Sequence, residues 1–279
     1  MVTIGLNTGC APTDMPLATI FTRAKAAGYD HLELDMVAAT PQAQALGLLT
    51  EAVSDAALAQ MAALSRDAGL AVSSVSTGLH WQAVLSSPDA AVRARGIAVA
   101  KRMIDAAQAV GGDTVLIVPA VIDAATDYQA AYDRAQASLT AIGDYASGTG
   151  VAVGVENVWN NFLMTPLAMR RFITELNHPA IGAYFDVGNV LQCGFPEQWL
   201  HVLAELVLKV HVKDFRTSIG NIQGFVPLLA GDVNWPAVMA ALRDIGYTGA
   251  VTAEVPPYRY CADQAIDDTA NALRRIQAL

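Results

Sequence analysis

No run of lysine or arginine in this chain exceeds a pair, as at Arg170–Arg171 and Arg274–Arg275, and the formal net charge is −9. A nucleic-acid partner calls for a basic stripe that neutralises phosphates, so none is expected. Long apolar runs are equally scarce. The longest, Val115–Ile122, falls far short of the roughly 18–20 residues that cross a bilayer, and no membrane association is expected either. The start, Met1-Val-Thr-Ile-Gly, lacks the basic residues and apolar stretch of a secretory signal. Cysteine is rare: Cys10, Cys193 and Cys261 are odd in number and show no CxxC spacing, which reads as reduced thiols in a cytoplasmic protein. Cys10 follows the first strand and either lines the active mouth or is an ordinary thiol. No GxGxxG follows that strand, which argues against an open dinucleotide-binding sheet.

What is present is a core in short pieces. Apolar residues make up 53% of the chain, enough for a sizeable interior. Eight β-type runs can be counted: Thr3–Asn7, His31–Leu34, Ala71–Ser74, Thr114–Val118, Val151–Glu156, Ile181–Asp186, Val207–His211 and Ala250–Glu254. Most are continuously apolar, as parallel strands covered on both faces should be. Helical faces lie between them, such as Leu58, Met61 and Leu64–Ser65, or Ile266, Ala270, Leu273 and Ile276–Gln277. Gly28, Gly69, Gly112 and Gly150 each stand shortly before a strand, where a helix would end in a left-handed cap. The recurring helix, glycine and strand define a βα unit, and eight such units in 279 residues predict a single (β/α)8 TIM barrel spanning residues 1–279.

Four of the runs end in a side chain able to bind a metal: Glu156, Asp186, His211 and Glu254, spaced 30, 25 and 43 residues apart. Each spacing is about one strand-plus-helix unit, and the ends of barrel strands converge on one mouth. A lone carboxylate at a strand end is more often a helix cap or an ion-pair partner. A lone histidine in an apolar strand is more often a core residue. Four consecutive units ending in ligand types point instead to a site for one divalent cation. Oxygen and imidazole ligands without thiolate favour Mn²⁺, Mg²⁺ or Co²⁺ over a structural Zn²⁺ site. Such an ion, bound to adjacent carbonyl and hydroxyl oxygens of a sugar, acidifies the C–H between them. Further polar residues cluster nearby. Asn157 and Trp159 follow Glu156, Asn189 follows Asp186, and Lys213, Asp214 and Arg216 follow His211. Asn157, Trp159, Asn189, Lys213 and Arg216 are candidate substrate contacts. Glu33 and His80 fit a supporting role better than direct ligation.

The segments Val-Glu156-Asn, Phe-Asp186-Val-Gly-Asn189, Val-His211-Val-Lys-Asp214 and Ala-Glu254-Val resemble the sugar-phosphate isomerase/epimerase superfamily of xylose-isomerase-like TIM barrels. Phe-Val-Pro227, Gly231-Asp-Val-Asn-Trp235 and Gly246-Tyr-Thr-Gly extend the resemblance over essentially the whole chain. It implies that Glu156, Asp186, His211 and Glu254 hold one Mn²⁺-like ion. It also implies that Glu156 and Glu254 are the acid/base pair exchanging a proton at C3 of a ketose or ketose phosphate through an enediolate, with catalysis the expectation.

Three departures from the superfamily's patterns matter. Many free-ketose epimerases carry His three residues after the Asp, where this chain has Asn189, as in the sugar-phosphate branch. Endonuclease IV needs additional histidine ligands that a chain with five histidines and Asn189 lacks. Relatives often read Val-Pro-x-Gly-x-Gly where this chain has Val226-Pro-Leu-Leu229-Ala-Gly231, which leaves substrate phosphorylation open. Aldose–ketose isomerisation and inosose-type dehydration use the same metal chemistry and stay open. So do a non-catalytic sugar-binding barrel and a homo-oligomer.

Overall fold

The structure is a computed structural model that describes all 279 residues. Eight parallel strands close into a barrel: β1 (Thr3–Asn7), β2 (His31–Met36), β3 (Ala71–Thr77), β4 (Thr114–Ile117), β5 (Ala152–Glu156), β6 (Ile181–Asp186), β7 (Val207–Val212) and β8 (Ala250–Ala253). Around the barrel they run in the order β1-β8-β7-β6-β5-β4-β3-β2. The eight expected strands are all present. β2 and β3 continue past their expected ends, to Met36 and Thr77, because the polar residues there still pair with the neighbouring strand. A two-stranded antiparallel ribbon, Asp214–Phe215 with Phe225–Val226, overhangs the mouth after β7. Its strands are too short to leave a periodic trace in the sequence.

Helices wrap the barrel, and their starts are set by side chains that complete the open first turn. Ser54, Asp89, Asp127, Thr165 and Asn234 each accept a hydrogen bond from a backbone N–H two or three residues on. Gly28 and Gly69 end their helices in the left-handed conformation, as their positions suggest. The third cap falls on Gly111 (φ 87°) rather than Gly112, since the helix Ala90–Val110 runs to the residue before it. Gly150 has a positive φ but follows a turn, not a helix end. Inward-facing helical residues and the outer faces of the strands merge into one continuous core of 69 buried apolar side chains, while Leu116, Val118 and Tyr184 form a separate small cluster. No helix is long and apolar enough to cross a membrane.

At the end of the barrel opposite the mouth, Gly5 pairs with His31 across β1 and β2, and the imidazole fills the space a side chain would take. A Cβ at position 5 would stand 1.9 Å from the ring. Both ring nitrogens of His31 are buried without a hydrogen-bond partner. Burial, and then the Lys209 charge, push the imidazole down to about 4. As the pH falls, the unfolded chain takes up a proton here near pH 6.5, whereas the folded chain does so only near 4. His31 therefore opposes folding increasingly across that window, and its full penalty is in place below it. Urea unfolding at pH 7 and pH 4 should show that His31→Gln loses up to about 3 kcal/mol less on acidification than the natural protein. A His31 imidazole resonance that titrates near 6.5 in the folded protein would contradict this.

Candidate metal centre

The strand register brings the four expected ligands together. Asp186 and His211 are paired directly across β6 and β7. Glu156 ends β5 one strand away, and Glu254 follows β8 with its N–H on the Val212 carbonyl at 3.1 Å. One ligand atom from each of Glu156, Asp186, His211 and Glu254 lies within 4.8 Å of all the others. The first three are buried, and the Glu254 side chain keeps 40% exposure, so the cluster opens to the mouth on that side.

Each side chain is aimed by its neighbours. Asp186 divides its oxygens: Oδ1 accepts the Asn189 N–H at 2.8 Å and caps the helical turn Val187–Val190, while Oδ2 faces the cluster. The cap that would explain an isolated carboxylate here is real, and it leaves the other oxygen free. Asn157 grips the Asp186 backbone twice, donating to its carbonyl and accepting from its N–H, both at 2.8 Å. His211 turns Nε2 toward Glu33 Oε1, at 2.5 Å, and Nδ1 toward the cluster, 3.2 Å from Glu254 Oε2. Glu33 is completely buried, and it also accepts hydrogen bonds from Asn7 Nδ2 (2.6 Å), Ser74 Oγ (2.7 Å) and the Tyr184 hydroxyl. A carboxylate behind an imidazole in this way fixes the ring and raises its basicity as a ligand.

The electrostatics show why a cation fits. Asp186 Oδ2 and His211 Nδ1 are buried without a hydrogen-bond partner, although both point into the cluster. Buried polar atoms of this kind are costly unless a ligand satisfies them. Lys213 supplies some positive charge, with Nζ 2.7 Å from Glu254 Oε2 and 3.3 Å from Asp186 Oδ2. Burial, only partly offset by Lys213 and reinforced by the Glu254 and Asp186 charges, pushes Glu156 up to about 8. Glu254 goes the other way. Burial would raise it, but the Lys213 ammonium and the neighbouring His211 imidazole hold it far below the usual carboxylate range. The free site thus keeps a proton on Glu156, which a divalent cation would displace. The donors are three carboxylates and an imidazole, a set suited to Mn²⁺, Mg²⁺, Co²⁺ or Zn²⁺.

A cavity of about 820 Å³ lies above the cluster. Of the expected substrate contacts, Trp159, Asn189 and Lys213 line it. Trp159 is fixed by its indole N–H on the Asn189 carbonyl (2.9 Å) and by the Phe215 and Phe225 rings. Asn157 and Arg216 are not part of the lining. Asn157 is spent on the Asp186 backbone, and the Arg216 guanidinium lies outside on the Ala230 carbonyl, at 3.0 Å. His80 is buried against the Gly96 carbonyl, away from the cavity. Cys10 does reach the lining, but burial raises its thiol strongly, and Sγ bridges the Val255 N–H and the Ala253 carbonyl. The residue that sequence reasoning passed over is Asp35, in the mouth two residues beyond Glu33. The strand alternation in His31-Leu-Glu-Leu-Asp-Met36 places Glu33 and Asp35 on one face and was the available signal.

Residues 21–279 match the family described as xylose isomerase-like TIM barrel, and the chain belongs to that family. An uncharacterised Methanocaldococcus jannaschii protein is 25% identical over 129 residues, which cover 44% of this chain and 43% of that one. The L-ribulose-5-phosphate 3-epimerase UlaE of Salmonella paratyphi C is 28% identical over 247 residues, covering 83% of this chain and 79% of its own. Among solved structures, an L-ribulose 3-epimerase superposes with a TM-score of 0.81 at 19% identity, over 100% of this chain and 95% of that one. The IOLI protein with a bound zinc atom superposes with a TM-score of 0.82 at 18% identity, over 99% and 98%.

Metal titration calorimetry checks the site. Affinity for Mn²⁺ should rise with pH through about 8 as Glu156 gives up its proton, with proton release visible in buffers of different ionisation enthalpy. Asp186→Ala should abolish binding, and Glu33→Gln, which removes no ligand but disturbs the partner of His211, should weaken it about 10–100-fold. Unchanged affinity in both variants would show that the cation binds elsewhere.

Proposed function

We propose that this protein is a divalent-metal-dependent sugar epimerase that exchanges a proton at C3 of a ketose, with Mn²⁺ as its ion and the cytoplasm, where its free thiols stay reduced, as its compartment. The observation that carries this reading is the convergence of Glu156, Asp186, His211 and Glu254, with two buried ligand atoms otherwise unpartnered. The named relatives include 3-epimerases of a ketose phosphate and of a free ketose, which supports the same reaction class here.

Bound at these four residues, the cation would supply Lewis acidity to adjacent carbonyl and hydroxyl oxygens and stabilise the enediolate formed when the C–H between them is lost. The chain does the rest. Glu156 and Glu254 stand at the two ends of an arc of four neighbouring strands, β5-β6-β7-β8, so they reach the substrate from two sides. Each gives one oxygen to the cluster and keeps its second oxygen for proton transfer. Glu254, ionised beside Lys213, takes the proton from C3. Glu156, at the other end of the arc, returns one to the opposite face. Exchange of both groups with solvent resets the pair, and the reverse reaction swaps their roles. Trp159, Asn189 and Lys213 position the sugar, and Asn157 holds the Asp186 backbone in register.

Proton NMR of ketoses incubated with the protein in D₂O should show deuterium entering at C3. Glu254→Gln should slow that exchange by about 10²–10⁴-fold. Exchange at C1 instead would identify an aldose–ketose isomerase on the same site, and loss of water a dehydratase. Full exchange in Glu254→Gln would remove this residue from the mechanism.

A further inference from the structure

A ketose and its phosphate ester share the same reacting carbons, and what separates them is the anion's seat. In barrels of this shape phosphate is commonly held at the rim after the seventh and eighth strands, by backbone N–H groups and a helix start. Here the backbone beside the two strand ends and at the helix start offers little to an anion. After β8, the Glu254 N–H is on the Val212 carbonyl and the Val255 N–H on Cys10 Sγ, both at 3.1 Å. Pro256 and Pro257 come next and have no N–H to offer. After β7, the N–H groups of Phe215, Arg216 and Thr217 donate to Asp214 Oδ1 (2.9 Å), the Gly224 carbonyl (2.8 Å) and Asp232 Oδ2 (2.7 Å). At the start of the following helix, the Trp235 N–H is taken by the Val233 carbonyl, and Pro236 has none.

The charges agree with the backbone. Lys213 is the only cation in the cavity lining, and it already pairs with Glu254 and Asp186. Arg216 faces the Ala230 carbonyl, and Arg259 lies outside the lining against the Tyr260 ring. The Asn189 amide, aligned with the sugar-phosphate branch in sequence, is turned to the Asn157 carbonyl (3.1 Å) and Glu156 Oε1 (3.5 Å). With Glu33 paired to His211, the carboxylates Asp35, Glu156, Asp186 and Glu254 still outnumber the charges of Lys213 and one divalent cation, so the mouth offers an anion no net positive charge.

We propose that this cavity takes an uncharged sugar and discriminates against its phosphate ester, with Asp35 accepting hydrogen bonds from sugar hydroxyls. The proposal rests on the epimerase reading above and narrows its substrate class. Asp35 lines the cavity with one weak internal partner, Ser76 Oγ at 3.4 Å on Oδ1, and its Oδ2 accepts no hydrogen bond from the chain. Burial, and after it the Glu254 and Glu33 charges, push this carboxyl up to about 7. Asp35 also borders a second cavity of about 390 Å³, shared through Gly9, so its carboxylate stands where the two spaces meet. Trp81 and Trp159, in the same lining, furnish apolar walls suited to the C–H faces of a sugar.

Calorimetric titration of the Mn²⁺-loaded protein with L-ribulose, D-psicose, D-tagatose and D-fructose, set against L-ribulose 5-phosphate and D-fructose 6-phosphate, tests this directly. At least one free ketose should bind at least about tenfold more tightly than its ester, because like charges brought together without a partner are strongly disfavoured. Asp35→Asn should weaken the free ketose about tenfold and narrow its advantage over the ester. Circular dichroism and Mn²⁺ affinity confirm that this variant is folded and loaded. Ester binding equal to or tighter than free ketose, or no binding of any free ketose, overturns the proposal. Unchanged ketose affinity in Asp35→Asn overturns the role of Asp35. Should the protein bind no Mn²⁺ and exchange no C–H, the epimerase reading fails, yet the same titrations on the metal-free protein still decide between sugar and ester.

Discussion

The contact between His211 and Glu33, both out of reach of solvent in the middle of the barrel, organises everything above it. An imidazole can present either nitrogen to a ligand, and the choice is made by what holds the other one. Glu33 takes Nε2, so Nδ1 is left facing Glu156, Asp186 and Glu254. A carboxylate in this position would be prohibitively desolvated on its own. Burial alone would raise Glu33, and the His211 charge together with hydrogen bonds from His211, Tyr184 and Ser74 brings it below its ordinary value. Asn7, Ser74 and Tyr184 come from β1, β3 and β6, so four strands must close around Glu33 before the histidine is aimed. The centre therefore exists only in the closed barrel.

Around that pair the protein spends side chains twice. Asp186 caps a helical turn with one oxygen and faces the cluster with the other. Asn157 fixes the backbone of Asp186, and Trp159 is tied to Asn189 while offering its ring to the cavity. Asp214 uses one carboxylate to hold the Phe215 and Val233 N–H groups and the Trp235 indole, which pins the overhanging ribbon to the following helix. At Gly231 an added Cβ would stand 2.2 Å from Asp214 Oδ1, so that fastening needs glycine there. Leu229, where relatives often carry glycine, still adopts a positive φ of 71°, so the loop keeps its path despite the less suitable residue.

Much of this was readable from the chain because the strands are short, apolar and parallel. Their last residues must meet at one rim, and four ends bearing ligand types stand out against apolar neighbours. The legible part stops where polar residues continue a strand. Asp35 lies on β2 beyond the apolar stretch, so a strand read only as far as Leu34 leaves it out of the mouth. The supporting place of Glu33 was visible as a tendency, but its partners sit 26, 41, 151 and 178 residues away, and no local pattern encodes such contacts. Asn157 and Arg216 follow strand ends just as Trp159 and Lys213 do. Which of these side chains turns inward depends on the path of each loop, and proximity in sequence is silent on that. The overhanging ribbon was missed for a related reason, since two-residue strands carry no periodicity.

The ammonium of Lys213, lodged between Asp186 and Glu254, has a bearing on the protein's life before it acts. By neutralising part of the acidic cluster it lets the barrel close without waiting for an ion. Maturation can then proceed in two separate stages, chain first and loading afterwards. A site assembled in that order would sample whatever divalent ions its surroundings hold, so its occupant would reflect supply as much as intrinsic preference.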